Sequence, residues 1–207
     1  AILFNNSIKP ITQIYNLSIE RTWPDQYICT VGRPSYQKNI ELMLDVLSEI
    51  NKKQNLHLVL MGIGFHQDKL QSVLSKIKIL GLEDKVTLLN WTSRSDIFHI
   101  IKNSKLYIST ARYEGLPYAM IESLALAKPC VVSDCDGNRD LVINDYNGFV
   151  IRTNDPKDFS ESILQLLNNE LIFNSFSENA LNRFNNNFNI DTNISILQDI
   201  YSKYAKC

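Results

Sequence analysis

The sequence predicts an α/β fold: one domain with a parallel sheet and helices on both faces. Three observations predict it. Short apolar runs alternate with longer amphipathic stretches, which is the signature of repeated strand–helix units. The run 56–61 is apolar without alternation, as expected of a strand buried on both faces. Glycine, proline or serine closes most of these runs, for example Gly32-Arg33-Pro34 and Gly62-Ile63-Gly64.

The elements follow in order. Residues 27–31 read as the first strand. A helix over about 38–52 carries Ile40, Met43, Leu44, Leu47 and Ile50 at helical spacing. After the strand at 56–61 comes a helix with Leu70, Val73, Leu74, Ile77 and Leu80, stopped by Gly81. Residues 85–89 form a strand, and Ser93 or Ser95 caps the helix of Ile97, Ile100 and Ile101. A strand at 106–109 leads to a helix opened by Pro117 and running to Ala127. The strand 129–133, a short helix near 139–143 and a strand near 148–151 come next. Asp155-Pro156 then starts a helix through Phe159, Ile163, Leu166 and Leu167. Right-handed crossovers place such helices on both faces of the sheet.

Two regions stand outside this pattern. Residues 1–26 lack the alternating unit. Residues 171–207 are Asn-rich and helical, with Leu197, Ile200, Tyr201 and Tyr204 on one stripe. The stretch 182–189 is broken by Phe184 and Phe188, so it does not read as disordered.

Composition narrows the function. A hydrophobic fraction of 44% with 21% charged residues fits a soluble globular chain. The net charge of −1 supplies no basic field for nucleic acid or anionic lipid. No apolar run reaches the ~18 residues of a membrane span. The cluster Ile2, Leu3 and Phe4 is too short for a signal-peptide core, so a cytoplasmic location is expected. Cys29, Cys130, Cys135 and Cys207 form no zinc-ligand pattern. Cys29 and Cys130 read as buried thiols.

Ligands of parallel sheets bind beyond the carboxyl ends of the strands. The loops at Gly32, Gly62, 90–93, 110–117 and 134–139 therefore matter most. In Glu114-Gly115-Leu116-Pro117, the amides of Gly115 and Leu116 precede a helix N-terminus, a site that attracts anions. Glu114 and Glu122 can flank such an anion, and carboxylates accept hydrogen bonds from sugar hydroxyls. On spacing alone, a helix start with acids near its positive end explains them equally well. Arg33 and Lys38 follow the first strand, where two cations can neutralise a diphosphate. Solvated side chains would give the same pattern. Gly62-Ile63-Gly64 reads as a tight turn, since the final glycine of a dinucleotide fingerprint is missing.

Taken together and in this order, Val31-Gly32-Arg33 with Lys38, Met61-Gly62-Ile63-Gly64, and Glu114-Gly115-Leu116-Pro117 ending at Glu122 resemble the carboxyl-terminal domain of family-four glycosyltransferases. The resemblance covers about residues 27–170. It implies one Rossmann-like half of a GT-B fold and a generally retaining transfer from a nucleotide-sugar donor. Arg33 and Lys38 match the basic pair on the donor diphosphate. Gly115 and Leu116 match amides that contact phosphate, Glu122 the glutamate that holds the ribose, and Glu114 the one beside the donor sugar. Asn90-Trp91-Thr92 matches the loop near the base. Trp91 lines that pocket or is a buried hydrophobic residue. Glu114, Arg33 and Lys38 are the catalytic candidates. Gly32, Trp91, Thr92, Gly115, Leu116 and Glu122 complete the donor site.

The resemblance further implies a UDP- or GDP-sugar as donor, with no cofactor and no metal. A glycan or lipid-linked acceptor follows, in bacterial surface or glycoprotein glycan synthesis. The family's amino-terminal domain holds most of the acceptor site and is not in this sequence. Residues 1–26 then resemble the interdomain linker, and 171–207 the helices that return toward that domain. The missing half, or a partner subunit, would bring any peripheral association with the inner face of a membrane.

The chain departs from the family at Asp136-Gly137, where a Gly-Gly pair is common. Asp134 and Asp136 also mimic the metal-binding pair of another glycosyltransferase fold, but they follow the fifth strand of a different architecture. Two other classes are weighed. A non-catalytic nucleotide-binding module or split-enzyme subunit fits the same residues. A dinucleotide oxidoreductase lacks its glycine fingerprint and an acid after the second strand.

Overall fold

The computed structural model describes residues 5–64 and 67–204, and for Gln67 and Asp68 the backbone only. The Ile2–Leu3–Phe4 cluster and Cys207 lie outside the described residues. Six strands form one parallel sheet: β1 (Tyr27–Val31), β2 (His57–Met61), β3 (Val86–Leu89), β4 (Tyr107–Ser109), β5 (Cys130–Ser133) and β6 (Gly148–Ile151). Their order is β3-β2-β1-β4-β5-β6, and every pairing is parallel. The order reverses between β1 and β4, which opens a crevice above their carboxyl ends.

The helices are α1 (Ile40–Asn51), α2 (Gln67–Ile79), α3 (Arg94–Asn103), α4 (Tyr118–Ala125), α5 (Asp136–Leu141), α6 (Pro156–Leu167), α7 (Glu170–Asn187) and α8 (Ile190–Tyr204). Alternation along the strands feeds two cores. Ile28, Leu58 and Leu60 face α1, α2 and α6, where Leu44, Leu47, Val73 and Phe159 are buried. Cys29, Val59 and Met61 face the opposite way, toward Ile100, Ile101, Ile121, Leu124 and Phe184. Cys29 and Cys130 are fully buried free thiols, and burial pushes Cys29 up to about 12.

Three boundaries differ from the sequence reading. Lys38 does not open α1. Asn39 intervenes in a left-handed conformation (φ 50°), which turns the chain sharply before the helix. Pro117 is the residue before α4 rather than its first residue. The fifth helix begins at Asp136, not near Arg139. Its first turn is Asp136-Gly137-Asn138, poor in helix formers, and it is set by tertiary contacts.

Residues 5–26 carry no helix or strand but are tied down. Ile8 bonds through its backbone to Phe188 and Ile190 (both 3.0 Å). Ser18 meets Asp96 on α3. The Asn-rich stretch 182–187 is helical, with Phe184 and the following Phe188 buried in the second core. Thus α7 packs on α4 within this domain. Of the α8 stripe, Leu197 and Ile200 are half-buried, while Tyr201 and Tyr204 are exposed. No described helix is long and apolar enough to cross a membrane.

Candidate functional site

The loops after β1 and β4 border the crevice. They are sewn together by backbone and side chains. Arg112 donates its amide to Gln37 O (2.8 Å) and its guanidinium to Tyr36 O (2.7 Å), and packs over the Tyr36 ring. Thr110 Oγ1 donates to Asn39 O at 3.0 Å. Gln37 Nε2 donates to Tyr113 O and to Glu114 Oε2.

This clasp brings Lys38 onto Glu114, with Nζ 2.6 Å from Oε1. The stem of Lys38 crosses Gly32: a Cβ there would lie 3.2 Å from Lys38 Cδ and Cε. Glycine at 32 therefore leaves room for the lysine to lie along the loop. Arg33, on the same loop, is exposed.

The neighbouring loops close ranks behind. Gly62 has φ +89°, so the turn after β2 needs glycine. A Cβ at Gly64 would meet Trp91 N at 3.7 Å, which sets the β2 and β3 loops side by side. Trp91 is 82% exposed, so the buried-hydrophobic reading of this residue is overturned. A residue after a short edge strand has too little structure above it to be covered. The Thr92 hydroxyl is buried, with no hydrogen-bond partner among the described residues.

Gly115 is exposed and Leu116 half-buried, immediately before α4. Gly137 at the start of α5 presses on this loop. Its amide donates to Glu114 O at 3.2 Å, and a Cβ there would fall 1.8 Å from Gly115 O. The Asp136-Gly137 sequence thus keeps the glycine at the point of contact. Asp134 and Asp136 both bond the Arg139 guanidinium. Both carboxylates of the D-x-D mimic are thereby engaged by a cation. Among the described residues no group of three or more candidate ligands gathers at a metal-sized site.

Glu122 lies on the buried side of α4, 8% exposed. Burial pushes its carboxyl above the ordinary value, and the nearby Arg94 opposes that shift. Arg94 Nη2 donates to Glu122 Oε1 at 2.9 Å. Both residues line an open pocket of about 770 Å³ that Ser7–Gln13 line on another side.

The structure therefore joins Lys38 to Glu114 directly, with Gly32 and Gly115 beside them. Glu122 sits further along α4, and Trp91 and Thr92 on the β3 loop. Sequence reading missed Arg94, Gln37 and Arg112. Gln37, beside Lys38, carried only adjacency as a signal. Arg94 follows a serine cap, where a surface arginine is unremarkable. Arg112 reads as an ordinary loop cation.

A six-stranded parallel sheet in this order, flanked by helices, is a Rossmann-like domain of the GT-B type. The profile of the family described as glycosyl transferases group 1 matches residues 20–183, and the chain belongs to that family. Over 122 residues it is 33% identical to the UDP-Gal:alpha-D-GlcNAc-diphosphoundecaprenol alpha-1,3-galactosyltransferase of Escherichia coli, covering 59% of this chain and 31% of that protein. Over 152 residues it is 30% identical to the poly(ribitol-phosphate) alpha-N-acetylglucosaminyltransferase of Staphylococcus aureus, covering 72% and 30%. A mutant of S. aureus TarM, solved with fondaparinux, alpha-GlcNAc-glycerol and UDP, shares the fold with a TM-score of 0.76 at 24% identity, over 92% of this chain and 38% of that one. Anabaena HepE, solved with UDP and glucose, gives a TM-score of 0.76 at 21% identity, over 87% and 48%. The chain spans less than half the length of each of these proteins.

Proposed function

We propose that this chain is the donor-binding half of a retaining glycosyltransferase that moves a sugar from a UDP- or GDP-sugar to a hydroxyl acceptor. The observation that carries the reading is the pairing of Lys38 with Glu114 at the switch point, beside the N-terminus of α4. A diphosphate placed there meets Lys38, Arg33 and the amides of Gly115 and Leu116. The bond between the sugar's anomeric carbon and the phosphate oxygen breaks, and a bond from that carbon to the acceptor oxygen forms. The acceptor proton passes to the leaving diphosphate, on whose oxygen negative charge grows in the transition state. Positioned donors of this kind contribute ~3–4 kcal/mol each to the transition state. Their positive charge fills the role that a metal ion takes elsewhere, so no cofactor is invoked. Glu114 orients the donor sugar, and Glu122 accepts from the ribose hydroxyls. Gly32 lets Lys38 lie close, and Trp91 and Thr92 border the base.

The acceptor is a glycan or a lipid-linked sugar of bacterial surface or glycoprotein glycan assembly. The names of the E. coli and S. aureus relatives support that class. A lipid-linked acceptor would bring the complete enzyme to the inner face of the membrane. Titration with UDP and GDP tests the reading. Arg33→Ala and Lys38→Ala should each weaken binding about 10-fold or more, as expected for lost charged hydrogen bonds. Undiminished affinity in both variants would refute the assignment.

A second reading of the same residues is a nucleotide-binding module, or a subunit of a split transferase, that does not by itself catalyse transfer. Fixing two reactants needs both walls of a cleft. The 207-residue chain alone should therefore bind nucleotide yet turn over little or no donor. Robust transfer by the purified chain would exclude this reading. Binding of NAD with no response to UDP or GDP would instead revive the oxidoreductase class.

A further inference from the structure

Arg94 opens α3 and reaches across to α4, where its Nη2 donates to Glu122 Oε1 at 2.9 Å. Its guanidinium carbon lies 5.3 Å from the centroid of the Phe98 ring, one turn along α3, so the head is held from two sides. Most of the arginine side chain is exposed, whereas the Glu122 side chain is only 11% exposed. The arrangement is that of a surface cation sent inward to a single buried acid.

The acid and the cation share the pocket that residues 7–13 also line. Lys9 from that segment and Tyr118, one turn earlier on α4, are the other charged or titratable groups lining it. A carboxylate in this position resists ionisation, because burial disfavours its charged form and raises its pKa. Arg94 acts against that tendency, and its hydrogen bond engages Oε1. The second carboxylate oxygen is suited to accept from a hydroxyl.

We infer that Arg94 is the positioning residue for Glu122, holding Oε1 and aiming the second oxygen at the ribose hydroxyls of the nucleotide. The inference rests on the nucleotide-sugar reading above. Arg94 acts through Glu122 and touches neither base nor phosphate. Ribose recognition then persists into mildly acidic solution only while the arginine is present.

The experiment measures UDP and GDP affinity of the full chain against pH for wild type, Arg94→Met, Arg94→Lys, Glu122→Gln and the double variant Arg94→Met/Glu122→Gln. In Arg94→Met the fall in affinity on acidification should begin at higher pH. At mildly acidic pH the loss should reach about tenfold, the scale of one charged hydrogen bond. Arg94→Lys should restore part of it. The double variant should bind within about twofold of Glu122→Gln, because coupled sites are not additive. Independently of any nucleotide, the ¹³C carboxyl signal of Glu122 should titrate at higher pH in Arg94→Met. Equal losses from Arg94→Met with and without Glu122, or an unmoved Glu122 titration, would overturn the inference. If wild type binds neither nucleotide, the donor reading fails on its own, and the carboxyl titration still decides whether Arg94 governs Glu122.

Discussion

Lys38 and Glu114 meet across the point where the strand order reverses, with 2.6 Å between Nζ and Oε1 and both side chains largely covered. The lysine is thus already compensated before any phosphate arrives. A diphosphate must share or displace Glu114 to gain the cation. Lys38→Ala should therefore weaken nucleoside diphosphate binding by about 10–100-fold. Glu114→Gln should leave UDP or GDP affinity within about threefold, or tighten it, because Lys38 loses its competitor. The same variant should weaken the sugar-bearing donor, whose hydroxyls lose their acceptor. Calorimetry with both ligands checks the split, and equal losses for both would mean that Glu114 acts by holding Lys38 in place for the phosphate instead.

Gly137 and Gly148 both sit where a Cβ cannot fit, at 1.8 Å from Gly115 O and 2.0 Å from Cys130 O. Alanine at either position forces backbone apart, at about 1–3 kcal/mol. Only Gly137 presses on the loop before α4. Gly137→Ala should lower both stability and nucleotide affinity, while Gly148→Ala should lower stability alone when affinity is read well below its melting temperature. Thermal melts and titrations on the two variants test this, and matched losses of affinity would mean that the 114–117 loop does not depend on α5.

Much of this was legible in the chain. The apolar run at 56–61 and the helical spacing of Ile40 to Ile50 specified buried parallel strands and an α/β layering. The helix start after Pro117 and the Ser93 cap could be read from local chemistry. What escaped depends on distant pairing. Arg94 finds Glu122 28 residues away, and Gln37 finds Glu114 77 residues away, so no local spacing announces them. The start of α5 escaped because Gly137 has weak helical preference and is held by the Glu114 carbonyl. For Trp91 the sequence left base-pocket lining and burial open, because size and apolarity favour burial, and only the fold shows its 82% exposure.

The boundary of the domain can be tested on two aromatic residues. Phe184 on α7 is 1% exposed and belongs to the core shared with α4, whereas Tyr204 at the end of α8 is 64% exposed. Phe184→Ala should cost about 3–5 kcal/mol. Tyr204→Ala should change stability by about 0.5 kcal/mol or less. Urea unfolding followed by circular dichroism measures both. A large effect at Tyr204 would mean that its ring packs on something in solution, and a second copy of the chain could then be sought by sedimentation.

Asp96 couples the first residues of the chain to α3, and it should do so in a pH-dependent way. Burial alone raises its carboxyl pKa, but the Ser18 amide at 2.7 Å, the Ser18 hydroxyl at 2.6 Å and the Ser93 hydroxyl outweigh burial and hold it below the ordinary value. The folded state then binds this proton less readily than the unfolded state, so its contribution to stability rises with pH. That contribution is complete above the ordinary carboxylate pKa of about 3.9 and is lost as pH falls through the lower folded value. Asp96→Asn should cost about 1–3 kcal/mol at neutral pH, where charged hydrogen bonds are lost. The cost should shrink at acidic pH, because the unfolded wild type takes up the proton first and its carboxylate then contributes less to folding. Urea unfolding at neutral pH and near pH 3 reads the difference. Parallel acid limbs for the two proteins would show that the charge of Asp96 does not hold the segment, since a group held ionised in the folded state must lose stability as it is protonated.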